Sequence, residues 1–325
     1  MPQRTEQGIL KNWKYMDPPL VSVCCITYNH EPYIRNAIEG FLMQETDFPF
    51  EIIIHDDAST DRTAEIVSSY TVQYPNIMKP IIQTENQYSK GAEIFSTFVF
   101  PKARGHYLAL CEGDDYWTDK KKLQIQVGFL NDNNRYILSA HNATIINGNN
   151  KISAAMVLPK KKEHDYSSSD LAKGRILFPT ASWVFRNISE KFPMEVKMVK
   201  NVDSFLSSFL GNFGDAKFHQ EINPSVRRYH SGGVFSPLTR DQQNDLRMNT
   251  TFWLYYYYQK NAKSELAEYF LIKHLKSVLF GSTIRNILLY CLREILIRLL
   301  GLRKLKAILT NDTTVQNKSK SEIAP

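Results

Sequence analysis

Three short, continuously apolar runs constrain this chain more than any other feature. Leu20 to Thr27 (LVSVCCIT), Phe50 to Ile54 (FEIII) and His106 to Leu110 (HYLAL) have the length and composition of strands buried on both faces. The first is followed by Tyr28-Asn29-His30 and by Glu31-Pro32, a proline placed to open a helix. The second ends in His55-Asp56-Asp57-Ala58-Ser59-Thr60-Asp61-Arg62-Thr63, where Ser59 is positioned to cap a helix whose apolar positions include Ile66 and Val67. Strand, polar loop and helix recurring in this order predict an α/β fold with a mostly parallel central sheet flanked by helices.

Open sheets of this kind bind ligands in the crevice outside the carboxyl ends of their strands. The third run leads into Cys111-Glu112-Gly113-Asp114-Asp115, which puts two adjacent carboxylates at such an end. Acids there suit a hard divalent cation that keeps several waters and bridges phosphate oxygens. An Asp-Asp pair also closes many ordinary turns, so the pair alone does not decide between the two uses. With the surrounding pattern, the chain reads as a nucleotide-using enzyme.

Four segments taken in order resemble family 2 of the glycosyltransferases, the inverting sugar transferases of the GT-A fold. They are the opening strand with Thr27-Tyr28-Asn29, the DDxSxDxT pattern from Asp56 to Thr63, Gly105-His106-Tyr107 leading into Glu112 to Asp115, and Tyr229-His230-Ser231-Gly232-Gly233. The resemblance implies a catalytic domain over residues 20–236 and a nucleotide-sugar donor, with UDP the commonest and GDP or dTDP as alternatives. It implies that Thr27 and Tyr28 border the base, with Tyr28 stacked beside a uracil. Asp57, with Asp56 as the other candidate, would accept the base's ring N–H, since a carboxylate offers only acceptors. Asp114 would meet the ribose or the metal, and Asp115 would be the principal ligand to Mn2+ or Mg2+ across the diphosphate. His230 would meet the metal or the diphosphate, with Arg227 and Arg228 adding phosphate contacts, although adjacent strand residues face opposite ways. The family often has a Ser-x-x-Arg-Asn element after the third strand, where this chain has Ser89-Lys90-Gly91-Ala92-Glu93, and Lys90 is the candidate to supply its charge.

Inverting transfer also needs a general base on the acceptor face. The family draws it from near the start of a helix in the second half of the domain, and Asp203 in Asn201-Val202-Asp203-Ser204-Phe205 fits that place. Aspartate there is equally suited to capping the helix. Glu112 is the rival base, but its neighbours put it on the donor side, bracing the metal loop. Thr180, Ser182, Trp183 and Trp117 could contact a sugar, with core packing the plainer account of both tryptophans.

Located along the chain, the net charge of +7 becomes informative. Residues 271–310 hold eight lysines and arginines against the single acid Glu294, an excess equal to that of the whole chain. The same segment repeats Ile284, Ile287, Leu288, Cys291, Ile295, Leu299 and Leu302 at helical spacing, so it reads as a basic amphipathic helix. Such a helix either lies in the interface of an anionic membrane or packs on the catalytic domain, and both readings stay open. It lacks the interleaved aromatics of a nucleic-acid platform, so nucleic acid is not an expected partner. Residues 1–19 read as an N-terminal extension, 237–310 as a helical region including four consecutive tyrosines from Tyr255 to Tyr258, and 311–325 as a polar, disordered tail. No run of about 18 uncharged apolar residues predicts a membrane span. Four dispersed cysteines without metal spacing suit a reducing cytoplasm, with the inner face of the plasma membrane as the site of any peripheral contact.

The expected activity is therefore metal-dependent, inverting transfer of one sugar from a nucleoside diphosphate to an acceptor hydroxyl. The acceptor would be a growing or lipid-linked glycan of a surface polysaccharide or lipopolysaccharide. The alternatives are a non-catalytic nucleotide-sugar scaffold and a nucleotidyltransferase. The latter would usually carry a glycine-rich basic loop after its first strand, where Thr27 to Pro32 has neither glycine nor Lys or Arg.

Overall fold

The computed structural model describes residues 4–147, 151–154, 156–176, 178–230, 232–233, 238–281 and 291. Its spine is a seven-stranded sheet with β1 (Val21–Thr27), β2 (Phe50–Asp56), β3 (Met78–Ile82), β4 (Tyr107–Leu110), β5 (Tyr136–Ala140), β8 (Val184–Arg186) and β9 (Asp215–Phe218). The spatial order is β3-β2-β1-β4-β8-β5-β9, and β8 runs antiparallel to both of its neighbours in an otherwise parallel sheet. A second sheet of three strands sets β10 (Ser225–Tyr229) parallel to β6 (Ala143–Asn147), which pairs in turn with β7 (Ile152–Ala154).

The apolar runs are continuous because both faces of the large sheet are buried. Val21, Val23 and Cys25 of β1 join Ile52, Ile54, Tyr107 and Ala109 in one core, which is closed by α2 (Ile34–Leu42), α3 (Thr63–Gln73) and α4 (Lys122–Asp132). Alternate residues Cys24, Ile53, Leu108 and Leu110 enter the other core, with α6 (Val202–Leu210) and the hairpin of α7 (Arg240–Lys260) and α8 (Ser264–Gly281). The short α1 (Glu6–Leu10) buries Ile9 in the first core, and α5 (Ser168–Ala172) packs beside α6. The N-terminal extension and the helical hairpin thus share cores with the sheet.

The four tyrosines divide by helix face. Tyr257 packs on Phe205 and Phe209 of α6, and the Tyr258 hydroxyl bonds Ser208, while Tyr255 and Tyr256 are half-buried. Both tryptophans are structural: the Trp117 indole donates to the Ala181 carbonyl at 2.7 Å and that of Trp183 to the Phe178 carbonyl at 3.1 Å. Among the described residues no helix is long and apolar enough to cross a membrane. Of the basic segment, 282–290 and 292–310 lie outside the described residues, as does the tail 311–325.

Lys122 at the head of α4 is fully buried, donating to Gln126 at 2.7 Å and lying 4.3 Å above the Trp117 ring. Burial pushes its ammonium down to about 7. Because the folded value lies below the unfolded one, the cost of the charge is full below about pH 7 and is relieved as pH rises toward the unfolded value. Relative to Lys122→Met, the native chain should therefore gain about 2 kcal/mol of unfolding free energy between pH 7 and pH 9. Urea denaturation of both proteins at the two pH values measures this, and a pH-independent difference would refute it.

Candidate active site

The crevice at the carboxyl ends of β1, β2 and β4 is stitched together by backbone bonds. Asp57 N–H donates to the Thr27 carbonyl at 3.0 Å and Gly113 N–H to that of Ile26 at 2.9 Å. Gly113 is required by this approach: a Cβ there would stand 2.7 Å from Thr27 Oγ1 and 2.8 Å from Thr27 Cβ. Thr27 itself is buried at the floor of the crevice, and Tyr28, just beyond it, is 43% exposed, an open aromatic face at the strand end.

The chain then turns through Asn29, whose φ of +53° is left-handed, a conformation asparagine tolerates better than most residues. The second acidic motif holds this turn. Ser59 Oγ accepts from Asn29 N–H at 2.9 Å, Asn29 Oδ1 accepts from Thr60 N–H at 2.7 Å, and Asp61 accepts from Glu31 N–H at 3.0 Å. Asp56, with no exposed surface, accepts from the Ser59 hydroxyl at 2.5 Å and the Ser59 N–H at 3.0 Å. Asp57 accepts from the N–H groups of Gln87 and Tyr88 at 2.8 and 2.9 Å.

Asp56 and Asp57 each accept two bonds from the protein's own donors, about half of a carboxylate's acceptor capacity. Two other expectations are corrected. Ser59 does not cap α3: Arg62 holds the cap position without a side-chain bond, and Asp61 just before it accepts from Thr63 N–H at 2.9 Å. Lys90 is paired with Glu85 on an exposed loop, so its charge is engaged there.

The metal-capable cluster forms where the acidic loop meets β10 and the turn after β1. His230 Nε2 lies 3.0 Å from Asp114 Oδ2 and His30 Nε2 3.9 Å from the same oxygen. The three candidate ligand atoms all fall within 4.8 Å of one another. Burial pushes the Asp114 carboxyl up, but the His230 hydrogen bond and the nearby imidazoles outweigh it and hold the group below the usual carboxylate range. Burial also lowers His30, keeping that ring neutral, the form that ligates metals.

Asp115, expected as the principal ligand, lies outside this cluster. Its Oδ1 accepts from the backbone N–H of Arg228 at 2.8 Å, tying the acidic loop to β10. Burial, then the charges of Asp114 and Glu112, push its carboxyl well above the usual range. The two arginines of β10 both reach the acidic loop although strand alternation turns them apart. Arg228 donates from Nε to the Asp114 carbonyl at 3.0 Å and stacks over Tyr33 at 4.5 Å, and Tyr33 in turn packs 4.7 Å from His230. Arg227 is within electrostatic reach of Glu112, Asp115 and Asp203 and offsets part of the rise that burial imposes on each.

Asp203 sits in the first turn of α6, while Asn201 holds the cap position, so capping does not account for it. Its Oδ1 accepts from Ser204 N–H at 2.6 Å, and burial raises its carboxyl above the usual range. Asp203 and Glu112 are close enough that the charge of Asp203 raises Glu112, which burial first and Asp114 second push to about 7. One Glu112 oxygen is buried with no hydrogen-bond partner among the described residues. The crevice thus has an open aromatic edge at Tyr28, a metal-capable centre at Asp114 and a second carboxylate, Asp203, near Glu112.

The donor set fits a divalent ion: two imidazoles and a carboxylate converge on one point, and that carboxylate, Asp114, is the one of the loop held below the usual range. His30 and Tyr33 were not singled out from the sequence. His30 lies beside the Tyr-Asn pair, and the only signal for it there was its place at the end of a strand.

Comparison with known proteins follows the same region. The profile of the family described as "Glycosyl transferase family 2" matches residues 22–192, just over half of the chain. An uncharacterised protein of Mycobacterium tuberculosis is 45% identical over 126 residues, 39% of this chain and 36% of that one. The UDP-Glc:α-D-GlcNAc-diphosphoundecaprenol β-1,3-glucosyltransferase of Escherichia coli is 35% identical over 111 residues, 34% of this chain and 41% of that one. The alignments therefore span well under half the length of these two relatives. Among solved structures, Staphylococcus aureus TarS in complex with UDP superposes with a TM-score of 0.57 at 18% identity, over 82% of this chain and 76% of that one. At that identity the likeness is one of fold, and the fold is GT-A.

Proposed function

Given that the chain belongs to glycosyl transferase family 2, we propose that it transfers a sugar from a uridine diphosphate sugar to a hydroxyl of a lipid-linked glycan, with inversion at the anomeric carbon. The observation that carries this is the meeting of the acidic loop, β10 and the first turn of α6 in one crevice. It supplies a diphosphate-side centre and an acceptor-side carboxylate at once. The named activity of the Escherichia coli relative and the UDP bound to TarS support the donor and acceptor classes. Surface polysaccharide assembly is the corresponding role.

In this reading Tyr28 stacks on the uracil, and the loop held by Asp56 and Asp57 shapes its edge. Asp114 and His230 hold Mn2+ or Mg2+, which when bound neutralises charge on the leaving diphosphate as a Lewis acid and template. Asp115 keeps β10 docked on the acidic loop, and Arg227 and Arg228 bring positive charge beside it. Asp203 takes the proton of the acceptor hydroxyl as its oxygen bonds to the anomeric carbon. The bond from that carbon to the diphosphate oxygen breaks on the opposite face, and UDP departs.

Calorimetric titration with UDP, with and without Mn2+, tests the donor half. Tight binding that requires the metal is expected, followed by turnover of a UDP-sugar with inverted configuration in the product NMR spectrum. If UDP, GDP and dTDP all fail to bind under every metal condition, the reading falls.

A further inference from the structure

We propose that His30 is a third protein ligand to the metal, completing with Asp114 and His230 a two-histidine, one-carboxylate face that selects Mn2+ over Mg2+. The proposal rests on the reading of the crevice as a metal-assisted transferase site and adds to it the ligand that decides which metal is held.

Geometry carries the argument. The two imidazoles are crossed, with ring centroids 5.9 Å apart and planes at 81°, so they do not stack. Instead both present Nε2 to a single oxygen, Asp114 Oδ2, at 3.0 and 3.9 Å. Donors at bonds of about 2.1 Å from one ion stand about 3 Å apart when adjacent and about 4 Å when opposed. The two histidine-to-carboxylate separations fall within that range, and all three ligand atoms lie within 4.8 Å of one another, so an ion needs only side-chain adjustment to draw them in. At 3.9 Å the His30–Asp114 contact is too long to be a hydrogen bond. Nδ1 of His30 is buried and has no hydrogen-bond partner among the described residues. Structural histidines are usually held by at least one nitrogen, and this ring is held by neither.

The backbone supports the same conclusion. Asn29 is kept left-handed, a conformation disfavoured for a residue with a Cβ, and Ser59, Thr60 and Asp61 each bond the Asn29 to Glu31 turn. That investment aims the residue that follows Asn29 back at the acidic loop of β4. Imidazole is a ligand of transition metals, whereas Mg2+ takes oxygen and water, so a second histidine shifts preference toward Mn2+.

Mn2+ binding to the UDP complex tests this, read by calorimetry and by pulsed electron paramagnetic resonance of the bound ion. The native protein should show nitrogen modulation from two imidazoles and bind Mn2+ more tightly than Mg2+. His30→Ala should show one imidazole, lose about tenfold or more in Mn2+ affinity, and change little toward Mg2+, so that the discrimination collapses. Two imidazoles remaining in His30→Ala, or unchanged Mn2+ affinity, would overturn the inference. If His30→Ala is unaffected while His230→Ala loses the metal, His30 is not a ligand and the transferase reading stands. If the native UDP complex binds no Mn2+, the metal-assisted reading itself is what has failed.

Discussion

Asparagine in place of Asp203 is expected to lower the turnover number about 10^3-fold while leaving donor binding unchanged. The amide is the same size as the carboxylate and can still accept from Ser204 N–H, the bond that now holds Oδ1 at 2.6 Å. What it cannot do is accept the proton of the acceptor hydroxyl. Burial already raises the Asp203 carboxyl, which moves it toward the range in which a base works at neutral pH. The measurement is kcat at saturating donor and acceptor beside the affinity for UDP with Mn2+. A variant that keeps kcat within about tenfold of the native value would dismiss Asp203 as the base. Glu112, with its raised carboxyl and an unpartnered buried oxygen, would then be the group to replace.

The adjacent acids of the metal loop should fail in different ways. Asp114→Ala is expected to weaken Mn2+-dependent UDP binding by about 10^2-fold or more, with little change in stability when metal is absent. Asp115→Ala should instead lower unfolding free energy by about 1–3 kcal/mol, because it strands the buried N–H of Arg228 and loosens β10 from the loop. Calorimetry and urea denaturation on the two variants separate the outcomes. If Asp115→Ala were fully stable and blind to metal while Asp114→Ala still bound it, the two roles would be exchanged.

That division shows where the sequence stops being readable. The strands β1, β2 and β4 were legible because burial on both faces leaves an uninterrupted apolar run, and a mostly parallel sheet was expected from the helices between them; the antiparallel β8 was not. Which of two neighbouring carboxylates faces a ligand was not legible, because Glu112 to Asp115 form an irregular loop with no period to fix side-chain direction. The DDxSxDxT motif was found, but its hold on the chain was not legible: the bonds of Ser59, Thr60 and Asp61 run to a turn about 30 residues earlier, and Ser59 caps no helix. His30 was missed for the same reason, since only the left-handed Asn29 turns it toward a strand about 80 residues away. The tyrosines of α7 were readable as part of a helix but not as the packing surface of α6, the helix that carries Asp203.

The bonds that tie β10 to the acidic loop join residues 113 and 116 positions apart. A chain emerging from the ribosome therefore completes its nucleotide-facing strands long before it can close the centre around Asp114. Until β10 docks, Asp114 has no His230 and Asp115 no Arg228. Assembly of the crevice is a late, long-range event in folding, and catalytic competence arrives together with the tertiary structure rather than ahead of it.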